Sequence, residues 1–390
     1  MQLASISLPQ LECALALRVD FPCHTTEVAH RDLSGIVHEA WLALEDTRTI
    51  TNVAEISANV STNRVYRLFL NDGSTAVSKV SSYGSYFLFA EDHDRLHRCS
   101  SYLASSDSSQ RWALFLAHMF EKNGRPFTWY NGSIWATFYE DIPRGDSLPR
   151  VLSQGQIATL GREIAEFHLA CAPLAEKLPP TSNSVKGDLI HLLDLLESPF
   201  ASKNFGLLAE DIGVLHRDTH NLLLEFESLH YDEWPRIPVL IDWNLGNFSV
   251  VFDESIPQER RETSAEFKLF SRWDYDWFRL ESRMFDFYFL SRVSSSTGDR
   301  TSFTYSPHTL LEPRFIEFLR AYHEVYPLSE QEIRFLPLAY RFFLLNYVIR
   351  EGARFFRNDL CQQFREEVAR RYLRQVAAMS FEPLVTALGY

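Results

Sequence analysis

The residues best suited to chemistry lie between Val214 and Trp243. His216, Asp218, His220 and Asn221 cluster directly after Val214-Leu215, and Asp242 follows the run Pro238-Val239-Leu240-Ile241. Phosphoryl transfer needs a carboxylate that accepts the proton of the attacking hydroxyl. It also needs an amide oxygen and a second carboxylate to hold Mg²⁺ on the nucleotide phosphates. In that chemistry Asp218 is the base, with His216 beside it, and Asn221 and Asp242 are the metal ligands. Each Asp also has a plainer use, because an aspartate at the end of a strand can cap a turn.

For these groups to meet, something must carry them to one edge. Leu222-Leu223-Leu224 and the 238–241 run are short, apolar and rich in Leu, Ile and Val, so both read as buried strands. Paired as a hairpin across the insert Glu225 to Arg236, they bring the polar groups together at one end.

His-Arg-Asp-Thr-His-Asn-Leu-Leu followed by Leu-Ile-Asp-Trp resembles the aminoglycoside phosphotransferase and choline kinase family. The resemblance implies an α+β, two-lobed protein-kinase-like fold, with a small β-rich N-lobe and a larger, mainly helical C-lobe. It also implies ATP and Mg²⁺ as cofactors and phosphorylation of a small-molecule hydroxyl. The family's catalytic loop reads His-x-Asp-x-x-x-x-Asn. Here Asn221 follows Asp218 by three positions instead of five, so the resemblance predicts a displaced Asn221 and leaves Asp242 as the principal metal ligand. This short loop, and the lack of glycine in the candidate phosphate-binding turn, motivate an alternative: a pseudokinase or nucleotide-binding regulatory protein without phosphotransfer.

Composition narrows the field. A net charge of −13 argues against nucleic-acid binding, which needs a basic face. It is compatible with a cationic substrate, although acidity also serves solubility. No apolar run is long enough to span a membrane. The five cysteines show no metal-ligand or CxxC spacing, which fits reduced thiols in a cytoplasmic protein.

In chain order, residues 1–50 read as a helical extension, with helices around 10–18 and 33–46. Residues 51–142 read as the N-lobe. Arg64 to Leu70 alternates like a strand, Asn71-Asp72-Gly73 is a hairpin turn, and Thr75 to Val80 returns. Lys79 ends that returning strand, where the fold keeps its phosphate-binding lysine. The preceding turn, with Ser61 and Asn63, lies over the phosphates. Glu91, in a helix from Phe87 to Leu103, is the chosen partner for Lys79, in competition with Asp92 and Asp94. Arg111 to Glu121 reads as a second helix. By position the adenine-binding hinge runs from Tyr139 to Ile142, with Glu140 and Ile142 as its contacts.

Residues 143–390 read as the C-lobe. Ser153 to Gln156 and Ser329 to Glu332 are capping boxes, and Pro337 should kink or restart the second helix. Helices are expected over 187–197 and about 359–378, and an exposed loop over 251–266. Trp273 to Asp286 reads as a helix mixing aromatics with acids. It is either a pocket wall for a cation or a core helix whose acids pair with Arg279 and Arg283.

Overall fold

The computed structural model describes residues 33–57, 63–82, 85–105, 111–181, 184–299 and 304–390. The expected helix around 10–18, and Ser61, lie outside them. The N-lobe is a five-stranded antiparallel sheet in the order β1-β2-β3-β7-β6. Its strands are β1 (Ile50–Glu55), β2 (Arg64–Leu70), β3 (Thr75–Ser81), β6 (Thr128–Tyr130) and β7 (Trp135–Glu140). A small ribbon of β4 (Glu121–Lys122) and β5 (Arg125–Pro126) precedes β6. The β2–β3 turn closes with Gly73 at φ +83°, a conformation that costs glycine nothing.

Alternation along the strands sorts the two faces. Leu68, Leu70, Ala76, Val80, Ala136 and Phe138 pack against Val37, Ala40, Trp41 and Leu44 of helix α1 (Ser34–Leu44). The opposite face carries Val77 and Lys79, which pair across to Tyr139 and Thr137. Helix α2 (Tyr86–Ser105) covers that face, with Phe89 and His93 against Trp135 and Tyr139. Lys79 is thus held on the sheet face covered by α2, not on the α1 face.

The C-lobe is helical. α3 (Gln154–Cys171) crosses α7 (Pro313–Val325), and α4 (Val185–Glu197) packs along α5 (Ala209–Ser228). Between α5 and α6 (Phe287–Ser294) the chain folds into two nested antiparallel ribbons. β9 (Phe248–Phe252) pairs with β10 (Phe267–Arg272), and outside them β8 (Ile237–Val239) pairs with β11 (Arg279–Glu281). This nesting brings the β8–β9 loop against the β10–β11 loop. α8 (Glu330–Phe343) continues through the wider turn Leu344–Arg350, and α9 (Asn358–Glu367) leads into the final helical segments.

Several sequence expectations are corrected here. The 214–224 stretch is not a strand: it lies inside α5, so no hairpin joins it to residues 238–243. Buried Ile212, Leu215, Thr219, Leu222 and Phe226 recur at helical spacing, and the stretch holds four leucines, a residue with good helix propensity. Residues 111–121 form turns and bridges, not a helix. Residues 273–286 are a loop, β11 and a short 3₁₀ turn (Arg283–Asp286), not one helix. Pro337 neither breaks nor restarts α8, which runs through it. Both capping boxes form, on α3 and α8.

One glycine sets the C-lobe geometry. A Cβ on Gly161 of α3 would meet the carbonyl oxygen of Phe318 at 2.6 Å and Ala321 Cβ at 3.2 Å on α7. In a free helix alanine is favoured over glycine by roughly 0.5–1 kcal/mol. Here we expect the opposite sign: Gly161→Ala should destabilise by about 1–3 kcal/mol through overpacking. Denaturant melts of the two proteins check it, and a more stable variant would show that the helices do not cross this closely.

Candidate functional site

The polar centre of the molecule lies where the two ribbon loops meet below β3. The first loop, Leu240 to Asn247, leaves β8 through a tight turn. Asp242 donates its N–H to the Leu240 carbonyl at 2.7 Å, and Ile241 sits at φ +60°. A β-branched residue in that region is strained. Two buried charges hold it there. Asp286 Oδ1 accepts the N–H groups of Leu240 and Ile241, at 3.1 and 2.6 Å. Arg272 Nη2 donates to the carbonyl of Asp242 at 2.7 Å and, at 3.5 Å, to those of Leu240 and Asp274.

Each clamp has its own support. His168 Nε2 lies 2.9 Å from Asp286 Oδ2, and His168 Nδ1 lies 2.8 Å from the Tyr322 hydroxyl. Tyr322 in turn receives Arg283 Nη1 at 3.4 Å. Arg272 lies over the Trp243 ring at 4.7 Å, and Trp243 is packed among Phe115, Phe167 and Phe248.

The clamp presents a set of oxygen donors. Asp242 is followed five positions later by Asn247, whose Nδ2 donates back to the Asp242 carbonyl at 3.3 Å. The second loop docks on the first. Trp273 N–H donates to the Asn247 carbonyl at 2.9 Å, and its indole N–H donates to Gly246 at 2.8 Å. That places Asp274, exposed and at φ +68°, beside Asp242. Asp276 reaches up to the N-lobe, where its Oδ1 is in direct contact with Lys79 Nζ and its Oδ2 accepts Asn63 Nδ2 at 2.6 Å.

Electrostatics follow from this crowding. Burial, then the neighbouring Asp274 carboxylate, push Asp242 up to about 7, against the pull of Arg272 and Arg292. Burial pulls the Lys79 ammonium down to about 8, opposed by Asp274 and reinforced by Arg354. His93 on α2, near Lys79, is pulled down to about 3 by burial and stays neutral, with Nδ1 2.6 Å from the Phe89 carbonyl.

The structure brings together Lys79, Asn63 and Asp242 of the residues singled out in the sequence. It does not bring His216, Asp218 or Asn221 to them. All three are on α5, a C-lobe helix. Asp218 is ion-paired to Arg341 at 3.0 Å, His216 lies 3.1 Å from Glu197, and Asn221 is exposed. Glu91 faces solvent on α2, and Asp276 stands on Lys79 in its place. At the presumed hinge, Glu140 uses its N–H on the His118 carbonyl at 2.8 Å, and Ile142 packs on the C-lobe core.

Sequence reasoning missed Asn247 and Arg272, and read Asp274, Asp276 and Asp286 only as acids of a pocket wall or a core helix. A signal for the first existed. Asp242 to Asn247 has the Asp-x-x-x-x-Asn spacing of the motif that the 216–221 stretch lacks. Leu240 stands where that motif has His, whereas the complete His-x-Asp lies at His216 to Asp218.

A Mg²⁺–nucleotide complex fits this donor set. Mg²⁺ is held by one or two carboxylates plus the substrate's phosphates, and not by an all-protein cage. Asp274, Asp276 and Asn247 are donors of that kind. Among the described residues no group of three or more His, Cys, Asp or Glu could hold a metal by itself.

No family model matches the chain, and no curated protein matches it in sequence. Solved structures do. It is similar to the amicoumacin kinase hAmiN in complex with AMP-PNP and Ca²⁺, with a TM-score of 0.59 at 14% identity over 90% of this chain and 97% of that one. It is similar to a microcompartment-associated aminopropanol kinase, with a TM-score of 0.56 at 16% identity over 89% and 99%. A gentamicin–APH(2")-IIa complex gives 0.50 at 13% identity over 90% and 97%. The chain therefore has the two-lobed protein-kinase-like fold of small-molecule kinases. No described helix is long and apolar enough to cross a membrane.

The raised Asp242 carboxyl has a consequence for stability. A carboxyl whose folded pKa exceeds its unfolded one binds more protons when folded, so stability falls as pH rises from about 4 to about 7 and stays lower above. Asp242→Asn carries no charge at any pH. It should therefore raise the melting temperature at pH 8 and leave it nearly unchanged at pH 4. Thermal melts at both pH values check this, and an equal or lower melting temperature at pH 8 would contradict it.

Proposed function

We propose that this protein is an ATP-dependent phosphotransferase that phosphorylates a hydroxyl of a small molecule, with its site in the 240–247 and 273–276 loops. The observation that carries the reading is the convergence of Lys79, Asp276, Asp274, Asn247 and Asp242 on one cleft within a kinase-like fold.

Lys79 binds the nucleotide phosphates once they compete for its ammonium with Asp276. Asp274 and Asn247, with Asp276 when Lys79 releases it, hold Mg²⁺, which neutralises phosphate charge. Asp242 accepts the proton of the attacking hydroxyl. The hydroxyl oxygen forms a bond to the γ-phosphorus, the bond from that phosphorus to the β–γ bridging oxygen breaks, and ADP leaves with the electron pair. A base near pKa 7 is matched to this task, since about half of it is ionised at neutral pH and it is still basic enough to take the proton. The clamp of Asp286 and Arg272 keeps that carboxylate aimed without reorganisation at the moment of reaction. Adenine would lie against the 139–142 segment.

Millimolar MgATP should raise the melting temperature of the wild type, and Asp274→Ala should lose most of that shift. With an acceptor found by monitoring ADP release over a panel of hydroxylated metabolites, Asp242→Asn should keep nucleotide binding and lose about 10²–10⁴-fold in rate. Asp218→Asn should leave both nucleotide binding and rate unchanged. The kcat/KM of the wild type should drop as pH falls through about 7, where Asp242 takes up a proton. Wild-type turnover by Asp242→Asn would refute the assignment of the base. MgATP binding without turnover of any acceptor would point to the regulatory alternative.

A further inference from the structure

A cavity of about 30 Å³ opens beside the 240–247 loop. Arg292 lines it, together with Ser295, Thr297, Thr304, Ser306 and His308. Each carries a donor-bearing side chain; Ser295 and Thr297 lie 3.3 Å apart, Ser306 lies 3.0 Å from His308 Nδ1 and Thr304 lies 3.0 Å from the Tyr372 hydroxyl, and among the described residues no carboxylate lines the cavity. Two acids close by in the chain are engaged: Asp299 accepts Leu245 N–H at 2.7 Å, and Glu312 accepts Ser296 N–H at 2.7 Å and lies 3.6 Å from His308 Nε2.

Arg292 is the unusual member. It is only 6% exposed, and its Nη1 makes a long contact to Asn244 Oδ1 at 3.5 Å. Its guanidinium otherwise lies over the rings of Phe289 and Tyr305, at 5.1 and 5.6 Å. Its nitrogens are not sealed in the interior without a partner, and the side chain lines the cavity; its planar fork matches carboxylate or phosphate oxygens. The place of this charge ties it to the reaction centre. Asn244, which touches Arg292, donates its Nδ2 to Asp242 Oδ1 at 2.5 Å. Only one side chain separates the guanidinium from the candidate base.

We propose that this cavity binds an oxyanionic group, a carboxylate or a phosphate ester, of the molecule whose hydroxyl is phosphorylated. The inference rests on the phosphotransferase reading above and narrows its acceptor class. The acceptor is a compact hydroxylated anion, its charge on Arg292 and its hydroxyl at Asp242. The acidic net charge of the chain then serves solubility, and the cationic substrate that it allowed is not the one this site selects.

Thermal shifts with four related probes at equal millimolar concentration test this without needing turnover: glycerate, glycerol 3-phosphate, glycerol and 3-amino-1,2-propanediol. One or both anions should raise the melting temperature saturably, and the neutral and cationic probes should not. Which anion wins distinguishes carboxylate from phosphate ester. Arg292→Gln should weaken the anion by about 10–100-fold, and Arg292→Lys should recover part of that. Should Arg292→Gln fail to fold, Ser306→Ala, at a partly exposed position, should still weaken the anion while leaving the MgATP shift in place. Absence of any anion shift, an equal shift from the neutral or cationic probe, or a shift that survives in both Arg292→Gln and Ser306→Ala would overturn the proposal. Anion binding without any MgATP effect would instead remove the kinase reading and leave the anion site standing.

Discussion

A short strained peptide carries the site, and it is held from both sides by opposite charges. Asp286 takes the N–H groups of Leu240 and Ile241, and Arg272 takes the carbonyls of Leu240, Asp242 and Asp274. Neither charge belongs to the loop it grips. Asp286 ends the 3₁₀ turn after β11, and Arg272 ends β10, so the grip exists only once both ribbons have closed. The strain at Ile241 is affordable because backbone groups that would otherwise be orphaned in the interior meet full charges there.

The helices serve this clamp. α3 supplies His168 and α7 supplies Tyr322, and their contact depends on the close crossing that Gly161 permits. Large aromatic groups fill the rest of the C-lobe core, with Trp243 and Arg272 stacked at the centre. A rigid apolar surround also raises the Asp242 carboxyl, since desolvation disfavours its charged form. Packing and reactivity are here the same arrangement seen twice.

Across the cleft the N-lobe contributes one cation on one strand. Lys79 meets Asp276 because β3 presents it on the face opposite α1, and Asn63 secures the same carboxylate. This ion pair spans the two lobes, and under the proposed function an entering nucleotide would compete with it for both partners. α2 places no acid on the lysine; it brings the neutral His93 near instead.

Much of the architecture was legible in the sequence. The alternating strands around Asn71-Asp72-Gly73 and the capping boxes at Ser153 and Ser329 follow from local patterns of period and turn chemistry, which a short window contains, while the two-lobed α+β order comes from the resemblance of the 214–243 motifs. Lys79 and Asp242 were legible for the same reason, as polar residues at the ends of apolar runs. The partners were not. Whether Leu215 to Leu224 is strand or helix depends on what covers it, and α4 and α8 bury one helical face that a run of leucines satisfies equally well in either form. Whether Asp218 or Asp242 faces the cleft, and whether Glu91 or Asp276 holds Lys79, depends on the pairing of strands far apart in the chain. Local sequence determined which residues could do chemistry. The nesting of β8 with β11 around β9 and β10 decided which of them meet, because strand pairing over such separations is set by burial of the whole core.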